Sequence, residues 1–284
     1  MAGGLRRHQA SSSSILPKMS RFLQLACLLV LSAHVANARF TAGFHQKLVE
    51  MYGDAGAEQL ERSDLGDAAA FGGGPSDSWL DIANDPVVLV HGNKRRADDE
   101  VPNAQFYEQK GFQNGSVFAT TWGPNGTTMS QNQVLHCDYV KQIRNLIVAV
   151  QNYTGRYVLV GAQSLGSAVS RKAILGGPCV DTGDDLGPPL TSIVRIFFSL
   201  AGCNQGLGRC LTDADYKNAP LCTNTVNGAP PNNTSAYLKD INAHTKNSVF
   251  EMLTTNHLTN ATLQKDVAAE TQKTGQQCTG SVQQ

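Results

Sequence analysis

The sequence predicts an α/β domain with a mostly parallel sheet and helices on both faces, and three observations predict it. Pro86-Val87-Val88-Leu89-Val90-His91-Gly92-Asn93 is a continuous apolar run of the kind that suits a strand covered on both faces. Arg156-Tyr157-Val158-Leu159-Val160-Gly161-Ala162-Gln163-Ser164-Leu165-Gly166-Ser167 reads as a buried strand that turns sharply at a serine into a small-residue helix. Strand and helix patterns alternate between these segments, which implies right-handed crossovers and parallel pairing.

Taken in order, residues 1–38 read as a secretory signal. Arg6, Arg7, Lys18 and Arg21 precede the short apolar stretch Phe22–Leu31, and Ala36-Asn37-Ala38 supplies a small-residue cleavage site. The apolar stretch is too short to span a bilayer. Met19 is an alternative start that would make a compact signal, and a retained signal anchor is the other alternative. Residues 39–85 read as an N-terminal helical segment followed by a linker. Phe44, Leu48, Met51 and Tyr52 share one helical side, Leu60 and Leu65 follow, and Phe71-Gly72-Gly73-Gly74-Pro75 is expected to break any element.

Residues 86–253 form the expected core. After the first strand, Ala104–Gln109 reads as a helix and Ser116–Trp122 as a strand. Asp138–Tyr153 carries Val140, Ile143, Leu146, Ile147 and Val150 on one helical stripe, with Lys141, Arg144 and Asn145 elsewhere. Gly166–Leu175 reads as a helix that Gly176-Gly177-Pro178 stops, and Thr191–Gly202 as a strand. Cys203–Asn233 reads as a long irregular loop, Tyr237–Ile241 as the start of a short helix and Ser248–Leu253 as a last strand. Residues 254–284 form a divergent polar tail.

Composition removes several function classes. Lys plus Arg equals Asp plus Glu at 23 each, so no basic excess argues for nucleic acid and no acidic excess argues for a solvating tail. With the signal removed, Cys137, Cys179, Cys203, Cys210, Cys222 and Cys278 remain, an even set suited to an oxidising compartment. No C-x-x-C spacing occurs, so neither metal nor cofactor is expected. A local Cys210–Cys222 bridge is the first expectation; the other pairings stay open. Sequons begin at Asn114, Asn125, Asn152, Asn232, Asn233 and Asn260, the overlapping Asn232 and Asn233 accepting one glycan at most.

The chemistry centres on Ala162-x-Ser164-x-Gly166, where small flanking residues allow the strained turn that exposes a nucleophile at a strand end. Acyl transfer needs that nucleophile, a base, a group to orient the base and donors for the developing oxyanion. Ser164 is the nucleophile. The donors would be the backbone N–H groups of Leu165 and Asn93, both at carboxyl ends of parallel strands. His91 is a histidine close to this site, but a histidine before such a loop shapes the loop, and in this arrangement the base follows the serine in the chain.

Pro86–Gly92, Tyr139–Arg144, Val160–Gly166 and Ile174–Gly177, with Cys179–Gly183 and Ser199–Gly202, resemble the secreted class 2 lipases of nematodes. These are α/β-hydrolase triacylglycerol lipases related to small bacterial lipases that also have Ala at the first motif position. The resemblance covers about Phe40 to Phe250. It implies an α/β-hydrolase-like fold and hydrolysis of a lipid ester, with Ser164 as nucleophile, Asn93 and Leu165 as oxyanion donors, and transient contact with a lipid interface.

The departure comes after Leu253. The place of the family's acid falls near Asn256 or His257, where no carboxylate stands, and no histidine follows His257. A truncated or wrongly predicted last exon, whose chain lacks the fold's C-terminal elements, is one explanation. A degenerate paralogue that acts as a non-catalytic lipid-binding or interaction protein is another. Rewiring is the third, with His257 as base and Asp181, Asp184 or Asp185 as its partner.

Overall fold

The structure is a computed structural model that describes residues 39–74, 84–124, 130–243 and 250–254. Of the predicted tail only Thr254 lies among them, and the rest, including His257, lies outside, as do the predicted signal and the sequons at Asn125 and Asn260.

In chain order the elements are α1 (Ala42–Glu61), β1 (Ala70–Phe71), β2 (Val87–Val90), α2 (Val101–Gln109), β3 (Val117–Thr120), α3 (Cys137–Thr154), β4 (Val158–Gln163), α4 (Leu165–Leu175) and β5 (Val194–Leu200). Three one-turn helices follow: α5 (Arg209–Thr212), α6 (Ala214–Lys217) and α7 (Pro220–Thr223). The last described elements are α8 (Ala236–Ala243) and β6 (Phe250–Thr254). The sheet order is β1-β3-β2-β4-β5-β6, parallel throughout except for β1, which pairs antiparallel with β3. Val88 lies opposite Phe118 and Val160, and Val160 opposite Phe197, while the pairing of β4 with β5 shifts register between Val158 and Leu159.

The apolar runs are explained by two covered faces. Val88, Val90, Phe118, Val158, Val160 and Ala162 point into the larger core, where the stripe of α3 (Val140, Ile143, Leu146, Ile147 and Val150) is fully buried. Val87, Leu89, Val117 and Ala119 point the other way, onto Ala104 and Val101 of α2 and onto Tyr107 and Phe112. Burial on both sides leaves no polar alternation for the strands to show. α1 belongs to the larger core through Phe44, Leu48, Ala57 and Leu60, with Phe44 edge-on to Phe40, Phe118 and Tyr153.

Three local expectations are corrected. Ala70–Phe71 does form an element, because two residues suffice to pair with the edge of β3 (Ala70 opposite Thr120), and Gly72 and Gly73 at φ 124° carry the chain away. The 203–233 stretch holds three one-turn helices, α5–α7, tied by the expected Cys210–Cys222 disulfide. Leu65 is only half-buried, in a 3-10 turn beyond α1. Arg144, off the apolar stripe of α3, is buried as well, and its Nη1 and Nη2 donate to Ala173 O (2.7 Å) and Pro188 O (2.6 Å). A second disulfide, Cys137–Cys179, closes the stretch from the start of α3 to the loop after α4.

Candidate active site

β4 ends at Gln163 and α4 begins at Leu165, so one residue makes the whole turn. Ser164 makes it at φ 53° and ψ −126°, a region that costs about 1–3 kcal/mol for a residue with a side chain. Neighbouring backbone holds it there. Ser164 N–H donates to Leu200 O (3.0 Å), and Ser164 O accepts from the N–H groups of Ser167 (3.1 Å) and Cys203 (3.2 Å). The turn is therefore tied to β5 as well as to its own helix.

Small residues allow the turn to approach the end of β2. A Cβ on Gly166 would collide with His91 O and lie 2.8 Å from Val90 O, so α4 rests directly on that backbone. A Cβ on Gly92 would lie 3.0 Å from Ser164 Cβ. The loop after β2 and the serine are thus packed against each other, and residue Asn93, buried at 5% exposure, follows Gly92 in that loop. Leu165 N–H lies in the first turn of α4, where helical N–H groups have no intrahelical acceptor. Ser164 is itself buried, and its Oγ lies 3.8 Å from the sulfur of Cys203, a disulfide-bonded residue with no S–H to give, so the hydroxyl is the donor of that weak contact.

His91 is fully engaged in holding the loop. Trp122 N–H donates to its Nε2 (3.0 Å), which fixes the proton on Nδ1, and Nδ1–H donates to Gly92 O (2.7 Å). Trp122 returns a bond from Nε1–H to His91 O (2.8 Å) and stacks on the imidazole at 5.2 Å. Burial pushes the imidazole down to about 4, keeping it neutral. With one nitrogen accepting and the other donating, His91 has no lone pair left with which to act as base.

The carboxylates named for a rewired site are engaged elsewhere. Asp181 Oδ2 accepts from Cys137 N–H at the start of α3 (3.0 Å) and from Asn227 Nδ2 (3.2 Å). Asp184 pairs with Lys141 Nζ (2.6 Å), and Asp185 Oδ1 accepts from Gly187 N–H (2.9 Å). A strand-end serine at positive φ, a helix N-terminus beside it and a packed loop after a neighbouring strand can together carry nucleophilic attack on a carbonyl and shelter the resulting oxyanion.

Residues 84–279 match the family of lipases (class 2). The chain belongs to that family. The sheet order and the serine turn give it the α/β-hydrolase architecture that the sequence predicts. Among solved structures, the mature Bacillus licheniformis lipase BlEst2 is similar at 18% identity and TM-score 0.40, over 63% of this chain and 65% of that one. Aspergillus fumigatus lipase B is similar at 17% identity and TM-score 0.34, over 49% of this chain and 29% of that one. Thermogutta terrifontis esterase 2 is similar at 11% identity and TM-score 0.37, over 72% of this chain and 87% of that one. The chain thus spans less than two thirds of the lengths of the first two. No curated protein matches it.

Sequence reasoning missed Trp122, whose two hydrogen bonds to His91 hold the loop after β2, and Arg62, whose guanidinium holds the backbone on both sides of Trp122. An aromatic residue just past a strand adjacent to β2 was the available signal for Trp122. Arg62 gives none, since its bonds run from a side chain to distant backbone.

Proposed function

We propose that the protein is a secreted serine hydrolase that cleaves lipid esters through an acyl-serine intermediate. Ser164 Oγ attacks the ester carbonyl, the N–H groups of Asn93 and Leu165 stabilise the tetrahedral oxyanion, and the alcohol leaves before water releases the acid. His257, outside the described residues, is the histidine proposed as base. The observation that carries the reading is the positive φ of Ser164 at a one-residue turn between β4 and α4 in a chain of the class 2 lipase family.

Secretion is supported by the predicted signal and by the Cys137–Cys179 and Cys210–Cys222 disulfides. Asn114, Asn152 and Asn232 are exposed, as glycan acceptors require, whereas Asn233 is only half exposed, which favours Asn232 of the overlapping pair. No helix among the described residues is long and apolar enough to cross a membrane. Leu211, 68% exposed on α5, is an apolar side chain suited to brief contact with a lipid interface.

A fluorophosphonate probe tests the reading directly. Labelling is expected on Ser164 and absent in Ser164→Ala, with hydrolysis of a short p-nitrophenyl ester lost in the same variant and labelling slowed in His257→Ala. Equal ester hydrolysis by parent and Ser164→Ala would refute the serine mechanism. An unlabelled parent would favour the non-catalytic lipid-binding alternative, which the missing carboxylate near Asn256 supports.

A further inference from the structure

We propose that Arg62 is a positioning residue for the oxyanion site, acting through a directed chain of hydrogen bonds that ends at the N–H of Asn93. Arg62 is the residue that ends α1, in the left-handed conformation at φ 52°, and its guanidinium is largely covered. It lies outside the stretch that matches the family.

Each link of the chain has a stated geometry. Arg62 Nη1 donates to Thr121 O (2.7 Å) and to Gly123 O (2.6 Å), so it grips the loop after β3 on both sides of Trp122. Asp64 holds the other edge of the guanidinium, accepting from Nε (2.8 Å) and Nη2 (2.9 Å). Gln142 Nε2 adds a second donor to Thr121 O (3.0 Å). Thr121 C=O and Trp122 N–H are opposite ends of one planar trans peptide. A donor on that carbonyl therefore aims that N–H, and the N–H meets His91 Nε2 at 3.0 Å.

The step then repeats. His91 passes from Nε2 to Nδ1, and Nδ1–H donates to Gly92 O at 2.7 Å. Gly92 C=O and Asn93 N–H are again the two ends of one peptide plane, so the bond to the carbonyl sets the direction in which Asn93 N–H points. All the dipoles run the same way, from a fixed cation to the amide proposed to meet the oxyanion. Head-to-tail chains of this kind polarise one another in a low-dielectric interior, and His91, Thr121 and Trp122 are all buried. Arg62 thereby orients the amide and strengthens it as a donor without touching substrate.

The catalytic consequence rests on the acyl-serine reading; the hydrogen-bond chain does not, and the test separates them. In uniformly 15N-labelled protein, the His91 ring is expected as the Nδ1–H tautomer, and Arg62→Met is expected to move the amide resonances of both Trp122 and Asn93. Arg39→Met, which removes an exposed cation paired with Asp67 in the same N-terminal segment, is the control and should move neither. Unmoved Trp122 and Asn93 resonances in a folded Arg62→Met protein would overturn the proposal, whatever the activity. On a p-nitrophenyl ester, Arg62→Met should lower kcat about tenfold with KM unchanged, less than the ~100-fold or greater loss from deleting an oxyanion donor outright. Millimolar guanidinium should restore part of it. Moved resonances with an unchanged kcat in an active parent would also overturn the role in catalysis. Moved resonances in a parent that leaves Ser164 unlabelled would uphold the chain and sink the serine reading alone. Should Arg62→Met fail to fold, Arg62→Lys carries the same test, since a single ammonium cannot hold both carbonyls and Asp64 at once.

Discussion

Stability is expected to depend on pH through His91. The imidazole is fully buried, desolvation holds it at about 4, and the ordinary value in an unfolded chain is 6.5. As pH falls through 6.5 the unfolded chain takes a proton that the folded protein refuses until about 4. The unfolded state therefore binds more protons across that window, and stability rises with pH there. The contribution is fully present above 6.5 and is lost as pH falls towards 4. The interval corresponds to about 3 kcal/mol in all, of which about 2 kcal/mol has gone by about pH 5.

That is a large share of a typical domain stability of about 5–15 kcal/mol. Protonation also has a local meaning, since a proton on Nε2 would face the N–H of Trp122 and break the bond at 3.0 Å. Urea unfolding of the parent and of His91→Asn, followed by circular dichroism at steps from pH 7.5 to pH 5, measures the effect. The variant should be less stable at neutral pH but flatter with pH, and the difference between the two curves should shrink by about 2 kcal/mol over the range. Every other titrating group cancels in that difference. Parallel curves would refute the neutral, doubly bonded imidazole and with it the tautomer assigned to His91.

Three further outcomes are expected. Gly166→Ala should cost about 1–3 kcal/mol and abolish fluorophosphonate labelling of Ser164, because the new methyl meets backbone at His91 and Val90 that cannot yield without parting α4 from β2; an unchanged melting temperature with normal labelling would contradict the close approach. Replacing Cys137 and Cys179 together by Ala removes a bridge across a sequence separation of 42, and the chain-entropy argument gives a loss of roughly 4 kcal/mol, read as a lower urea midpoint. Arg144→Met leaves Ala173 O and Pro188 O without their guanidinium donor, so each carbonyl should contribute about 1–3 kcal/mol of destabilisation in chemical denaturation; parent-like stability would show that water replaces the guanidinium.

The sequence made β2, β4, β5 and α3 legible for one reason: their burial is dictated by runs and stripes that local period reveals. Ser164 was legible because the one-residue turn needs small neighbours at fixed offsets, and Ala162 and Gly166 occupy them. What stayed hidden depends on partners far along the chain. Ala70–Phe71 is a strand only because the edge of β3 is there to pair with it. α5, α6 and α7 are single turns of four residues, too short for a periodic signal, and the Cys210–Cys222 bridge helps to fix them. Arg144 sits off the apolar stripe, and polarity alone predicts it exposed; it is buried because two backbone carbonyls need donors at that depth. The links from Arg62 to Thr121 and Gly123 join a side chain to backbone 59 and 61 residues away, a relation that no residue type announces.

The two readings of activity differ in what they require of the structure. A pocket that merely holds lipid needs apolar walls and a few polar groups. It does not need a serine at φ 53°, a conformation that costs about 1–3 kcal/mol. Nor does it need a histidine kept neutral by burial, whose contribution disappears in acid, or two glycines that bring a strand-end loop against the serine. These costs fall on one half of the proposed acyl-transfer site, the half built from β2, β3, β4 and the start of α4, and they are interlocked through His91 and Trp122. None of the hydrogen bonds in that lock comes from Asp181, Asp184 or Asp185, the carboxylates considered as partners for a base. A chain could therefore lose its base and keep the oxyanion half folded, but binding alone gives no physical reason for the half to be strained. The strain at Ser164 favours catalysis over binding.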